Sequence, residues 1–197
     1  MKAAWIVIGS FLGLALLVVL FWVGTYNGLV SNQEGVNEKW SQVQTNYQRR
    51  ADLVPNLVAT VKGVANFEKD TMIAVTEARA RVGAMQVTKE TLNDPKALKA
   101  FDEAQGKLSS ALSRLMVVVE KYPDLKASEN FKELQSQLEG TENRISVSRR
   151  DFNLAVKDYN VSIRRFPAAM VAGVHGFKEK AYFEAAVGSE KAPEVKF

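Results

Sequence analysis

The chain predicts an all-α fold: an N-terminal transmembrane helix followed by an antiparallel up-down helical bundle of three long helices and a short C-terminal helical segment. Three observations predict it. Residues Ala3 to Val23 carry no charged side chain. From Glu38 onward the large apolar residues recur at steps of three and four, the spacing of one buried helix face. Only 5 prolines and 12 glycines occur in 197 residues, few of them mid-chain, which suits long helices and disfavours a many-turned β fold.

The run Ala3–Val23, AAWIVIGSFLGLALLVVLFWV, is about 32 Å long as a helix and matches the hydrocarbon core of a bilayer. Trp5 and Trp22 sit near its two ends, where indole rings favour the membrane–water interface. A cleaved signal peptide would have a shorter apolar core and a small-x-small cleavage site, so residues 1–25 read as a retained single-pass anchor. Gly9 and Gly13 form a G-x-x-x-G step, the spacing that lets two spans approach closely. They are the candidate transmembrane packing residues. Lys2 and the amino group precede the span, whereas Glu34 and Glu38 follow it. By the positive-inside rule the bundle then lies on the extracytoplasmic side.

Residues 26–37 read as a juxtamembrane hinge or helix start. Thr25–Gly35 is polar with two glycines, and Ser31 or Asn32 suits the cap of a helix beginning near Gln33.

The bundle domain is expected over residues 38–187. Its spine carries Trp40, Val43, Tyr47, Val54, Leu57, Val61, Val64, Met72 and Val75 on one stripe. The stripe keeps phase across Pro55. The expectation is therefore one rod from about Gln33 to about Gly83, bent near Ala51–Val54 where the proline removes a backbone donor. Gly83–Asn93 loses the periodicity and reads as a loop, with Asp94 as N-cap and Pro95 in the first helical turn. A second helix buries Leu98, Phe101, Leu108, Leu112, Leu115, Val119 and Tyr122, interrupted by Gln105, and ends at Tyr122-Pro123. Ser128 caps a third, which repeats Phe131, Leu134, Leu138, Thr141, Ile145, Ser148, Phe152, Ala155, Tyr159, Ser162 and Phe166 in heptads. Short connections place neighbours antiparallel. Phe166-Pro167 stops the third helix, and Met170, Val171 and Val174 read as a short helix over the end of the bundle. His175 is the whole polar face of Ala168–Phe177, a poor pattern for a helix lying on a bilayer. Residues 188–197 read as a disordered tail.

Composition removes several function classes. The net charge of +4 comes from interspersed charges, with no basic stripe interleaved with aromatics, so nucleic acid is not an expected partner. The absence of cysteine excludes disulfides, thiolate metal sites and cysteine nucleophiles. His175 is the single histidine, and no His-x-x-x-His or Glu-x-x-His step occurs. No metal and no di-iron bundle chemistry are expected. Phosphate-loop, dinucleotide and G-x-S-x-G patterns are absent from any strand-to-helix context. Glu68, Glu77, Asp102 and Glu103 read as solvated helix charges, not an acid–base pair in a pocket. The expectation is no catalytic activity and no cofactor.

The run Arg49-Arg50-Ala51-Asp52-Leu53-Val54-Pro55-Asn56-Leu57-Val58, followed by Val61-Lys62-Gly63 and Phe67-Glu68, closely resembles the LemA family. So do Tyr26-Asn27, Trp40, Glu77-Ala78-Arg79, Tyr159-Asn160 and Phe166-Pro167. The likeness covers nearly the whole chain in order. It departs at Val64-Ala65-Asn66, where the family usually carries an aromatic residue and a histidine. The resemblance implies a single-pass protein of the bacterial inner (cell) membrane with an antiparallel helical bundle, and no settled biochemical activity.

On a helix, Arg49, Asp52 and Asn56 share one edge beside the apolar stripe. Arg49 can pair with Asp52, Arg50 can reach the other flank, and Asn56 can bond the carbonyl that Pro55 leaves free. Arg49, Arg50, Asp52, Pro55 and Asn56 are thus a candidate network. It reads as stitching a kinked helix to its neighbours, with a charged groove for a partner's carboxylate or phosphate as the alternative. The expected function is a membrane-anchored interaction or scaffold protein of the cell envelope. It meets the lipid bilayer and either forms a homo-oligomer or binds other membrane or envelope proteins. The alternative is a bundle holding a lipid or other apolar ligand at the membrane surface, motivated by the thin seam at Thr141, Ser148 and Ala155.

Overall fold

A computed structural model describes residues 2–63, 68–85 and 88–184. The described residues form helices α1 (Lys2–Lys62), α2 (Lys69–Gly83), α3 (Pro95–Val119), α4 (Pro123–Ala127), α5 (Glu129–Arg164) and α6 (Ala168–His175), and contain no strand. A short 3-10 turn at Lys89–Asn93 precedes α3, inside the stretch expected to be loop. The helical-bundle fold is as expected; its parts differ in three places.

The anchor and the spine are one helix. α1 runs through 61 residues, about 90 Å, and residues 26–37 are helix interior instead of a hinge. Gly24, Gly28 and Gly35 lower the local propensity. Packing outweighs it, because Leu29 and Val36 are buried against the rest of the bundle. The part before Trp22 stands alone, and the window that qualifies it as a membrane span has no residue buried in the protein.

The rod continues through Pro55, as expected, but ends at Lys62 instead of near Gly83. Gly63 lies in a turn, and the chain re-enters helix at Lys69 as α2. Val64, on the expected stripe, lies outside the described residues. Val61 and Val75 are both fully buried, and they lie fourteen residues apart. That separation is two heptads, so the stripe stays in phase whether the helix continues or breaks and folds back. Gly63 was the local signal for the break.

The third difference follows from the second. With α2 folded back on α1, α3 runs parallel to α1 instead of antiparallel. Trp40 and Tyr47 both meet Phe101, and Arg50, further along α1, meets Gln105 and Ser109, further along α3. The long antiparallel partner of α1 is α5. The pairs Trp40–Phe152, Asn46–Arg144 and Arg50–Glu142 step down one helix as they step up the other. The order is up-down-up-down through α1, α2, α3 and α5.

The caps lie where expected. Asp94 accepts from the Lys96 N–H, with Pro95 at the start of α3, and Ser128 accepts from the Phe131 N–H; each such cap stabilises by about 1 kcal/mol. The heptads of α5 hold from Phe131 to Tyr159, with Leu134 and Ala155 half-buried. They then slip: Asn160 and Ile163 are buried, whereas Phe166 is 78% exposed. A straight helix drifts about 20° per heptad against a strict seven-residue repeat, which brings Asn160 and Ile163 onto the seam. Phe166 lies beyond the end of α5, in the turn before α6, where the extended backbone of Arg165 has already ended the helix.

Two core clusters result. The one nearer the anchor is aromatic, built on Trp40, Phe101, Phe152, Tyr159 and Phe183. The distal one is aliphatic, built on Leu57, Leu108, Leu115, Phe131 and Leu138. Phe183 arrives on an irregular strap, residues 177–184, that follows α6 and runs back along the bundle. The expected tail at 188–197 lies outside the described residues.

Candidate functional site

α1 forms the floor between α3 and α5, which are held apart. The result is an open groove of about 880 Å³ between them, closed at the end nearer the anchor by the strap. Arg50 rises from the floor. It belongs to the apolar side of α1 by its position three residues after Tyr47, and it is 1% exposed. Its fork donates to the Gln105 side chain and carbonyl, to Ser109 Oγ at 2.6 Å and to Glu142 Oε1 at 2.8 Å. α1, α3 and α5 are thereby joined through one guanidinium, a planar group suited to several acceptors at once. Arg50 Nε is buried and lacks a partner among the described residues. Glu142 remains 43% exposed, so the charge pair is only half withdrawn from water.

A second bridge crosses the groove closer to the strap. Arg149 on α5 makes a two-bond pair with Asp102 on α3, its second contact at 3.1 Å, and also donates to the Tyr47 hydroxyl at 3.1 Å. Burial pushes the Arg149 pKa down, but the Asp102 hydrogen bond and the Tyr47 contact outweigh it and hold the guanidinium more firmly charged than usual. Burial raises the Tyr47 pKa above its ordinary 10.0, against the lowering influence of Arg149. Asp102 is therefore a structural partner of Arg149, not the solvated charge expected from its helix position.

The strap is held by side chains that read its backbone. Asn160 donates to the Lys180 carbonyl and accepts from the Lys180 N–H, both at 2.9 Å. Asn153, one heptad earlier, does the same for Phe183 at 2.9 and 3.0 Å. Each asparagine supplies the donor and the acceptor that a neighbouring β-strand would supply. Phe183 then seats among Trp40, Phe152 and Arg149.

The structure divides the expected network. Arg50 alone enters the groove; Arg49, Asp52, Pro55 and Asn56 face outward. Arg49 does not pair with Asp52. The Asp52 carboxylate accepts from Gln48 at 2.8 Å. The carbonyl freed by Pro55 belongs to Ala51, and its partner is not Asn56 but Arg79 of α2, whose Nε donates to it at 2.9 Å. Gln105, Ser109, Glu142, Arg149, Asn153 and Asn160 were not foreseen. Gln105 left a signal, as the one polar interruption of an apolar stripe; Arg149 left none. Gly9 and Gly13 lie on the bare part of α1, with nothing within 4 Å of an added Cβ. Among the described residues, no three His, Asp or Glu side chains converge as a metal site.

A family model described as the LemA family matches residues 39–197. Magnetosome proteins MamQ 1 and MamQ 2 of Paramagnetospirillum magneticum are each 31% identical over 175 residues, covering 81% of this chain and 64% of their own length. Protein LemA of Metamycoplasma hominis is 27% identical over 165 residues, covering 83% of this chain and 71% of its own. The chain thus spans less than two thirds of the MamQ relatives. The bundle and the matched residues together establish that the chain belongs to the LemA family.

Proposed function

We propose that the protein is a membrane-anchored, non-catalytic interaction protein whose bundle uses the α3–α5 groove to bind a polypeptide segment of a neighbouring envelope protein or of a second copy. One observation carries the reading: the groove already seats polypeptide. At one end, Asn153 and Asn160 hold the main chain of the strap through paired donors and acceptors. The remaining length is open and lined by Arg50, Gln105, Ser109, Glu142 and Ser146, a mixed set of donors and acceptors suited to another stretch of backbone. Because its charges are paired across the groove, it favours a polar peptide over a free anion.

The anchor lies in the bacterial inner membrane, with the bundle on its extracytoplasmic side. Gly9 and Gly13 provide a close-packing step for self-association. The lipid-binding alternative has weaker support. The Thr141 and Ser148 hydroxyls are buried, but they are satisfied by carbonyls of their own helix at 2.7 and 3.0 Å.

A photoreactive residue at Ser146, compared with one at exposed Val117, tests the reading in native membranes. The expected result is a discrete peptide crosslink from position 146 that Arg50→Met weakens and that position 117 lacks. Equal, diffuse labelling at both positions, with a monomeric mass after detergent extraction, would refute it.

A further inference from the structure

The span is not the whole of the membrane-facing surface. From Phe166 to Phe177 the chain reads FPAAMVAGVHGF, with no Asp, Glu, Lys or Arg, and it is flanked by Arg164, Arg165 and Lys178. Phe166 is 78% exposed, Met170 59% and Val174 71%. Met170 and Val174 are four residues apart on α6 and therefore share a face. The opposite face is covered: Val171 and Ala172 are buried in the aromatic core cluster.

The height of this patch is fixed by contacts to α1. The Trp22 indole N–H donates to His175 Nε2 at 3.2 Å, and the Tyr26 ring lies 4.6 Å from the His175 ring and 5.9 Å from Phe177. Trp22 is the penultimate residue of the apolar run, where the chain leaves the hydrocarbon. α6 therefore sits at the level of the headgroups, and its exposed apolar face continues the lipid-facing surface of Phe21 and Val23, which are 49% and 50% exposed.

We propose that α6, with Phe166, Met170 and Val174, is a second membrane contact: an apolar wedge seated at the headgroup–acyl boundary beside the base of the span. The missing polar face is no obstacle. An isolated interfacial helix needs one to meet water, but the far side of α6 meets the bundle instead. Arg165 and Lys178 lie at the two ends of the segment, where anionic headgroups attract cations. The wedge makes the bundle stand on the membrane with one side down. This rests on the reading of residues 3–23 as a membrane span, and the test separates the two.

The chain has no cysteine, so single cysteines introduced in the full chain carry a unique nitroxide. Met170→Cys and Val174→Cys report the wedge, Leu14→Cys the span and Val117→Cys an exposed site on distal α3. The probe membrane is a nanodisc of phosphatidylcholine and phosphatidylglycerol, and the readout is the ratio of relaxation by oxygen to relaxation by a water-soluble nickel chelate. The wedge predicts ratios at 170 and 174 several-fold above that at 117 and below that at 14. It also predicts that Met170→Glu lowers the ratio at 174. Ratios at 170 and 174 equal to that at 117, with 14 immersed, overturn the wedge and leave the anchor standing. A water-exposed label at 14 overturns both. Spin–spin broadening at 170 that vanishes when each disc holds one chain shows that a second copy, not lipid, covers the face, and overturns the proposal.

Discussion

Arg79 carries an unusual task for a half-exposed side chain: it replaces a helical hydrogen bond inside another helix. Pro55 has no N–H, so Ala51 loses the partner that residue 55 would supply. Ala51 is buried, and water does not readily reach its carbonyl. Arg79 Nε occupies the vacancy at 2.9 Å. A hydrogen bond to a charged donor contributes about 1.5–3 kcal/mol, so Arg79→Met is expected to destabilise the bundle by about 2 kcal/mol. Pro55→Ala returns the N–H to α1 and makes Arg79 redundant. In that background Arg79→Met is expected to cost no more than about 0.5 kcal/mol, leaving a coupling of about 1–2 kcal/mol, well above the additivity seen for independent sites. The assay is denaturant unfolding of the full chain in nanodiscs, followed by far-ultraviolet circular dichroism and compared at constant m. Additive effects of the two substitutions would show that Arg79 does nothing for the proline and would refute the reasoning.

Other predictions concern the strap, the buried tyrosine and α5. Asn160→Ala removes the side chain that bonds both the N–H and the carbonyl of Lys180, and is expected to cost about 2–4 kcal/mol and to speed tryptic cleavage at Lys178; an unchanged cleavage rate would contradict the asparagine clamp. The raised Tyr47 pKa means the folded state holds this proton more tightly than the unfolded state. Its contribution to stability is complete below pH 10.0 and is lost as pH rises through the higher folded value. Tyr47→Phe is therefore expected to flatten the alkaline decline in a pH series of unfolding midpoints, and an equally steep decline would count against it. Gly140→Ala on α5 meets nothing within 4 Å of the new Cβ and is expected to stabilise by about 1 kcal/mol, measured as a higher unfolding midpoint.

What the sequence made legible was whatever depends on local chemistry. The Asp94 and Ser128 caps, the proline stops and the apolar faces of α3 and α5 follow from residues within a few positions of one another. The end of α1 was hidden because the Val61-to-Val75 interval fits a folded-back hairpin as well as a continuous rod. That one ambiguity reversed the direction assigned to α3, since each added helix inverts everything after it. The groove was harder still. Arg50 was visible as a polar residue near the apolar stripe, but Glu142 and Arg149 lie about a hundred residues away, and only the packing of α5 brings them within reach. Asn153 and Asn160 do their work on backbone, which leaves no complementary residue type to detect. Phe166 leaves the seam because α5 ends at Arg164, and the Phe166-Pro167 stop was the available clue.

The unbroken run of α1 from lipid to bundle has a mechanical consequence. From Val23 to Lys62 the rod extends about 58 Å beyond the hydrocarbon. Spans commonly tilt by tens of degrees as bilayer thickness changes, and a tilt of about 10° would carry the far tip through about 10 Å. With no flexible joint at the base to absorb it, a thinner or thicker bilayer swings the whole domain like a mast, and whatever the groove holds moves with it.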